Sequence, residues 1–328
     1  MFLNPKNINR FLNLISAAAL IWVGYKLWAF QEWDSFINHL GSNKHHFAGI
    51  LILQTTLMGL NISLEARKWQ ILVRPVSRIP FKESLTQVIK GIQLGMVTPA
   101  RSGDPVGKSL FYKSSNRGKI IVLSLAGSLI QNFVILVAAL WALIWITHPT
   151  SEYLNFLKSS VFKLPYFIWA VSAMTVLTIT GWLILKKYII TRPNRLKIKQ
   201  HIRILKQTDK KSLIHIFILT LFRYVIFSVQ FLILLHFFGL SNIRDGLYAI
   251  FLFYAALSFI PSAGSGDLSI RATLAMMIFG TGAIAEPGIV MASLLLWFFN
   301  LALPALLPSI VYVAITLHPR LKKYSLYP

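Results

Sequence analysis

The sequence predicts an all-α polytopic membrane protein: about six full transmembrane helices around two opposed re-entrant helical hairpins, forming one integral membrane domain over residues 1–328. Three observations predict it. The chain is 55% hydrophobic and only 13% charged, against about 25% charged in soluble domains. Apolar runs long enough to cross a bilayer recur along its length. Two of these runs are broken by nearly the same polar hinge, "TPARSGD" at 98–104 and "IPSAGSGD" at 260–267.

Candidate membrane segments are 11–30, 47–66, 84–99, 120–146, 164–185, 212–236, 247–260, 268–281 and 287–317. The last holds Pro304 and Pro308 and is expected to kink or break. The first lacks a small-residue cleavage site and reads as a retained span.

The net charge of +23 comes from 33 Lys and Arg against 10 Asp and Glu. The basic residues sit in short loops between apolar runs, a pattern of topology and anionic head groups rather than nucleic acid. With no cysteine, disulfides and thiolate metal sites are excluded. Placing the N-terminus, the loops 67–82 and 101–119, the ten-charge loop 186–211 and the tail in the cytoplasm leaves only Lys44, Lys158, Lys163 and Arg244 among the outer loops. That asymmetry follows the positive-inside rule and makes both termini cytoplasmic.

Segment 84–99 then lies between two inward-facing loops, so it dips in and returns or lies along the surface, and a re-entrant hairpin fits. The hairpin is expected near 84–104. Segments 247–260 and 268–281 are each short of the ~20 residues of a span. They fit a second hairpin near 247–281 entering from the other face, with two full crossings as the alternative. Interrupted segments in corresponding places of two halves point to a transporter site and suggest an inverted repeat.

The residues at the two breaks suit an anion. At the first, Pro99 pushes Thr98 out of the helical region, and Gly103 frees the backbone. Arg101 offers a planar fork for phosphate, and Asp104 can hold that arginine or cap a helix. At the second, Pro261 breaks the run and Gly264 and Gly266 free the backbone. Asp267 and Arg271 meet if a helix starts there. Arg223 lies roughly 17 Å into its run at about 1.5 Å per residue, near the middle of a ~30 Å core. An ionised group there is a candidate site residue, with a structural pair to Glu65 or an aspartate as the plainer reading. Gln131, Asn132 and Asn300 read as interhelical hydrogen-bonders. No nucleotide-binding, metal-binding or nucleophilic motif appears, so neither a cofactor, a metal nor an enzymatic activity is expected.

The stretches "GIQLGMVTPARSGDPVGKSLFYK" (91–113) and "IPSAGSGDLSIRATLAMMIFG" (260–280) resemble the lysylphosphatidylglycerol synthase transmembrane-region family, which includes flippase domains. In the first, Gly95, Thr98, Pro99, Arg101, Gly103 and Asp104 fall on the family pattern. In the second, Pro261, Gly266, Asp267, Leu268 and Arg271 do, while Ser269 and Ala272 stand where the family usually has Gly and often Glu. The resemblance implies movement of an anionic phospholipid or polyprenyl phosphate lipid between leaflets of a bacterial inner membrane. The aminoacylating members carry a large soluble domain, and no stretch here is long enough for one, so lysyl transfer is not expected. A homo-oligomer or a partner enzyme is compatible with this reading. The alternative is a non-transporting membrane scaffold for a lipid-modifying or glycosyltransferase complex.

Overall fold

A computed structural model describes residues 21, 24, 25, 27–98, 101–146, 201–260, 265–280 and 286–308. Most of segment 11–30, all of 164–185, most of the basic loop 186–211, and the hinge residues Pro99, Pro261 and Gly264 lie outside the described residues.

Every regular element among the described residues is helical. In chain order these are α1 (Trp33–Ser42), α2 (Lys44–Val73), α3 (Phe81–Met96), α4 (Gly103–Ser109) and α5 (Ser114–Ile146). After a 3-10 turn at Ile204–Gln207 come α6 (Lys210–Phe237), α7 (Ile243–Phe259), α8 (Ser265–Phe279) and α9 (Glu286–Trp297). Among the described residues, four helices are long and apolar enough to cross a membrane: Lys44–Val73, Ser114–Ile144, Lys210–Phe237 and Glu286–Pro308.

Polarity is distributed the reverse of a soluble protein. On α6, Leu213, Ile214, Phe217, Leu221, Phe222 and Val225 are exposed, while Thr220, Ser228 and Gln230 are buried. On α5, Leu125, Leu129, Phe133, Val137 and Ile144 form a second exposed apolar face. Water would penalise such surfaces heavily, whereas hydrocarbon does not. The four apolar helices and these faces describe an integral membrane protein.

Inside, one apolar core joins α6 to α9 around Phe231, Leu235, Ile250, Phe253, Phe279 and Ile289. A second joins α2, α3 and α5 around Trp69, Leu72, Val88, Ile120 and Leu123. A third, with Val134, Ala139, Tyr224, Tyr248 and Leu252, seats α5 against α6 and α7. Buried polar pairs cross between helices. Gln54 on α2 donates to the Gln230 carbonyl at 2.9 Å, and Gln230 donates back to the Gln54 carbonyl at 3.3 Å.

Two differences from the sequence expectation bear on the site. Segment 47–66 extends to Val73, because Lys68 and Arg67 continue the helix rather than opening a loop. The run after 287 does not break at Pro304: a π-helical turn at Phe298–Ala302 carries the helix on to Pro308. Pro304 has no N–H for the carbonyl four residues back, and a π turn re-spaces the local hydrogen bonds. Asn300 sits in that turn and accepts from Asn61 on α2 at 2.9 Å.

Candidate functional site

The first polar hinge forms a helical hairpin, α3–turn–α4, closed by glycines. A Cβ on Gly103 would lie 2.3 Å from the Leu94 carbonyl oxygen, and one on Gly107 would lie 2.7 Å from the Lys90 carbonyl oxygen. Only glycine lets the two backbones approach this closely. Gly91 and Gly95 on α3 make room in turn for the Asp104 side chain, with distances of 3.1 and 3.3 Å from the Cβ each would carry. Thr98 ties the turn. Its hydroxyl donates to the Leu94 carbonyl at 2.9 Å and accepts from the Gly103 N–H at 2.7 Å. Arg101 holds a left-handed backbone, φ 56°, which costs a non-glycine residue about 1–3 kcal/mol. Its N–H donates to the Thr98 carbonyl at 3.2 Å.

Asp104 and Lys108, four apart on α4, pair at 2.7 Å. Lys108 then reaches Glu65 on α2 at 3.4 Å. Glu65 also pairs with Lys68 at 2.6 Å and with Arg223 on α6. Arg223 donates through Nε to Asn61 at 2.9 Å and through Nη1 to Gln131 on α5 at 3.1 Å. Its Nη2 takes part in none of these bonds. Arg101 completes the chain, 3.9 Å from Asp104 and 47% exposed. Lys68 and Lys108 are almost wholly buried, at 2% and 4% exposure.

The network therefore sets four cations, Arg101, Lys108, Lys68 and Arg223, against two carboxylates, Asp104 and Glu65. The formal surplus is two positive charges. Burying unbalanced charge is costly, so a site of this make-up favours an anion.

A polar relay supports Lys108 from below. Its ammonium lies 5.1 Å above the Trp69 ring, a favourable cation–π placement. Trp69 Nε1 donates to Gln87 at 2.7 Å, Tyr112 donates to the same oxygen at 3.1 Å, and Gln87 donates to Glu83 at 3.1 Å. Burial pushes the Tyr112 hydroxyl up to about 12.

At the second hinge, α8 begins at Ser265, so Gly266 and Asp267 lie in its first turn. The Arg271 Nε donates to Asp267 at 2.8 Å, and both side chains are largely buried. Ser269 and Ala272, the two departures from the family pattern, are buried on the same helix.

The structure thus gathers Arg101, Asp104 and Arg223 into one network and orders Thr98 and Gly103 beside it. Asp267 and Arg271 form a pair on another helix, and Arg271 is not among the cations that Glu65 and Asp104 hold. Sequence reasoning named Glu65 only as a partner for Arg223, and left Lys68 and Lys108 among the loop charges. The signal was present: Glu65 and Lys68 are three apart, and Asp104 and Lys108 four apart, both spacings that share a helix face. Gln131 and Asn300 are interhelical hydrogen-bonders, as expected, whereas Asn132 is exposed on α5.

A separate cavity of about 280 Å³ opens at the end of α2, lined by Arg74, Arg78, Gln207, Thr208, Asp209 and Ser212 among others. Asp209 caps α6 by accepting from the Ser212 N–H at 3.1 Å, and hydrogen bonding to Ser212 holds its carboxyl below the usual range. Among the described residues no cluster of metal-ligating side chains occurs.

Compared with known proteins, the chain matches no family model and no curated protein.

Proposed function

We propose that the protein moves a phosphate-bearing lipid between membrane leaflets. The observation that carries this reading is the buried network of Arg101, Asp104, Lys108, Glu65, Lys68 and Arg223 with its surplus of positive charge. It lies inside a molecule whose outer faces are apolar. A head group would enter past the exposed Arg101 and exchange onto Lys108, Lys68 and Arg223 while its tails stay in lipid. The Asp267–Arg271 pair would serve the opposite side. The hairpin α3–α4 would be re-entrant, and α7–α8 its counterpart in an inverted repeat. On this reading the protein has about six full spans in all, with both termini cytoplasmic in a bacterial inner membrane. The resemblance of residues 91–113 and 260–280 to the lysylphosphatidylglycerol synthase transmembrane-region family points the same way.

Purified protein in liposomes, with a labelled phosphate lipid placed in one leaflet, tests this. Accelerated crossing is expected in wild type, reduced in Arg101→Ala and in Arg271→Ala. Folded protein that speeds no lipid would refute transport and favour a scaffold role.

A further inference from the structure

The charge balance of the network narrows the substrate class. On the transport reading above, we infer that the preferred head group is a phosphate monoester carrying close to two negative charges, rather than a phosphodiester or a zwitterion. Among the described residues four cations face two carboxylates, a formal surplus of two positive charges, one of them shared with the half-exposed Arg101 at the entrance. Two of those cations, Lys68 and Lys108, are nearly inaccessible to water. In such surroundings an unbalanced charge is felt strongly. A terminal phosphate monoester carries about −1.5 to −2 near neutral pH and presents three acceptor oxygens. It can neutralise the site. A phosphodiester brings one negative charge and leaves one positive charge unmet. A phosphodiester with an ammonium brings none.

The donors suit three oxygens as well as two charges. Lys108 and Lys68 approach from α4 and α2, and Arg223 from α6. Glu65 now occupies the point where they converge, as a fixed carboxylate that an incoming phosphate would have to share or displace. The charged groups around that point are Glu65 and Lys68 of α2, Asp104 and Lys108 of α4, Arg101 of the turn and Arg223 of α6. The α5 helix contributes the neutral Gln131, and α3 contributes Glu83 only through Gln87. No histidine takes part in these pairs. Between about pH 7.5 and 5.5, the head group's own second ionisation, near 6, is expected to lower the preference.

The test uses the full chain in liposomes with two labelled lipids of identical tails: a phosphatidic acid (monoester) and a phosphatidylglycerol (diester). At about pH 7.5 the monoester should cross at least about tenfold faster, and the preference should shrink severalfold at about pH 5.5. Inorganic phosphate in excess should slow the monoester by competition. Equal rates for the two lipids at both pH values would overturn the monoester inference while leaving transport standing. Crossing of neither lipid would overturn the transport reading itself. Binding of inorganic phosphate with no lipid movement would assign the cations to a soluble anion and overturn the lipid source. Lys68→Met, folded by its melting profile, should lower the preference; an unchanged ratio in that variant would remove Lys68 from the site.

Discussion

The guanidinium of Arg223 on α6 donates to the carboxylate of Glu65 on α2, across 158 positions of sequence. Both side chains are largely withdrawn from solvent, at 11% and 13% exposure. The pair is the knot of the molecule: α2 and α6 meet there, α4 joins through Lys108, and α5 through Gln131. Asn61 extends it to the π turn of the last helix by donating to Asn300.

Removing Glu65 should be costly in two separable ways. Glu65→Ala leaves Lys68 and Arg223 without a carboxylate and Lys108 with Asp104 alone, and breaking a buried pair costs about 3–5 kcal/mol. A clear drop in melting temperature in detergent is expected. Glu65→Gln keeps the shape and raises the cation surplus. It should bind a phosphate lipid more tightly and release it more slowly, so that equilibrium binding improves while turnover falls. Weaker binding in a folded Glu65→Gln would contradict its place as a competing anion.

The hairpin's glycines give a test with an internal control. Gly107→Ala puts a Cβ 2.7 Å from the Lys90 carbonyl oxygen, and overpacking of this kind costs about 1–3 kcal/mol. At Gly59, in the middle of α2, a Cβ would meet nothing within 4 Å. Gly59→Ala should be neutral or stabilise by about 0.5–1 kcal/mol through helix propensity. Thermal melts of the two variants should move apart. Equal shifts would mean that the α3–α4 contact is looser than described.

Alkaline stability should carry the signature of Tyr112. Its hydroxyl is raised from about 10 to about 12 by burial. The folded state then holds the proton that the unfolded chain releases above pH ~10, so stability present below that pH is lost as pH rises toward ~12. Tyr112→Phe has no such proton to lose. It should be less stable at neutral pH, because the bond to Gln87 is gone, yet lose less stability between pH ~10 and ~12. Parallel pH profiles for the two proteins would show that Tyr112 is exposed.

The helical class was legible in the sequence because hydrocarbon demands long apolar runs, and α2, α5 and α6 supply them. Arg101 and Asp104 could be found because Pro99 and Gly103 mark a break in such a run. Arg223 stood out as a charge where none is expected. Lys68 and Lys108 did not stand out, because each lies next to a basic loop, and one-dimensional charge counting cannot separate a solvated lysine from a buried one. Their burial is a consequence of tertiary packing. Lys68 shares α2 with Glu65, whereas the α3–α4 glycines and Trp69 bring Lys108 to Glu65 from a helix that the sequence does not align with it. Pro304 and Pro308 mark the last run as irregular, and the irregularity is a π turn at Phe298–Ala302, beside which Asn61 donates to Asn300 and Gln93 to the Ala305 carbonyl at 2.8 Å.

The most direct test of the central claim is the rate at which a phosphate lipid crosses liposomes holding wild-type protein or Lys108→Met. Methionine keeps much of the stem that packs over Trp69 and removes the charge that links Asp104 to Glu65. If the buried cations carry the phosphate, crossing should fall at least about tenfold in protein that remains folded, since one charge–phosphate contact is worth more than ~1.4 kcal/mol at this depth. Unchanged crossing in folded Lys108→Met would contradict the account and place the lipid path elsewhere.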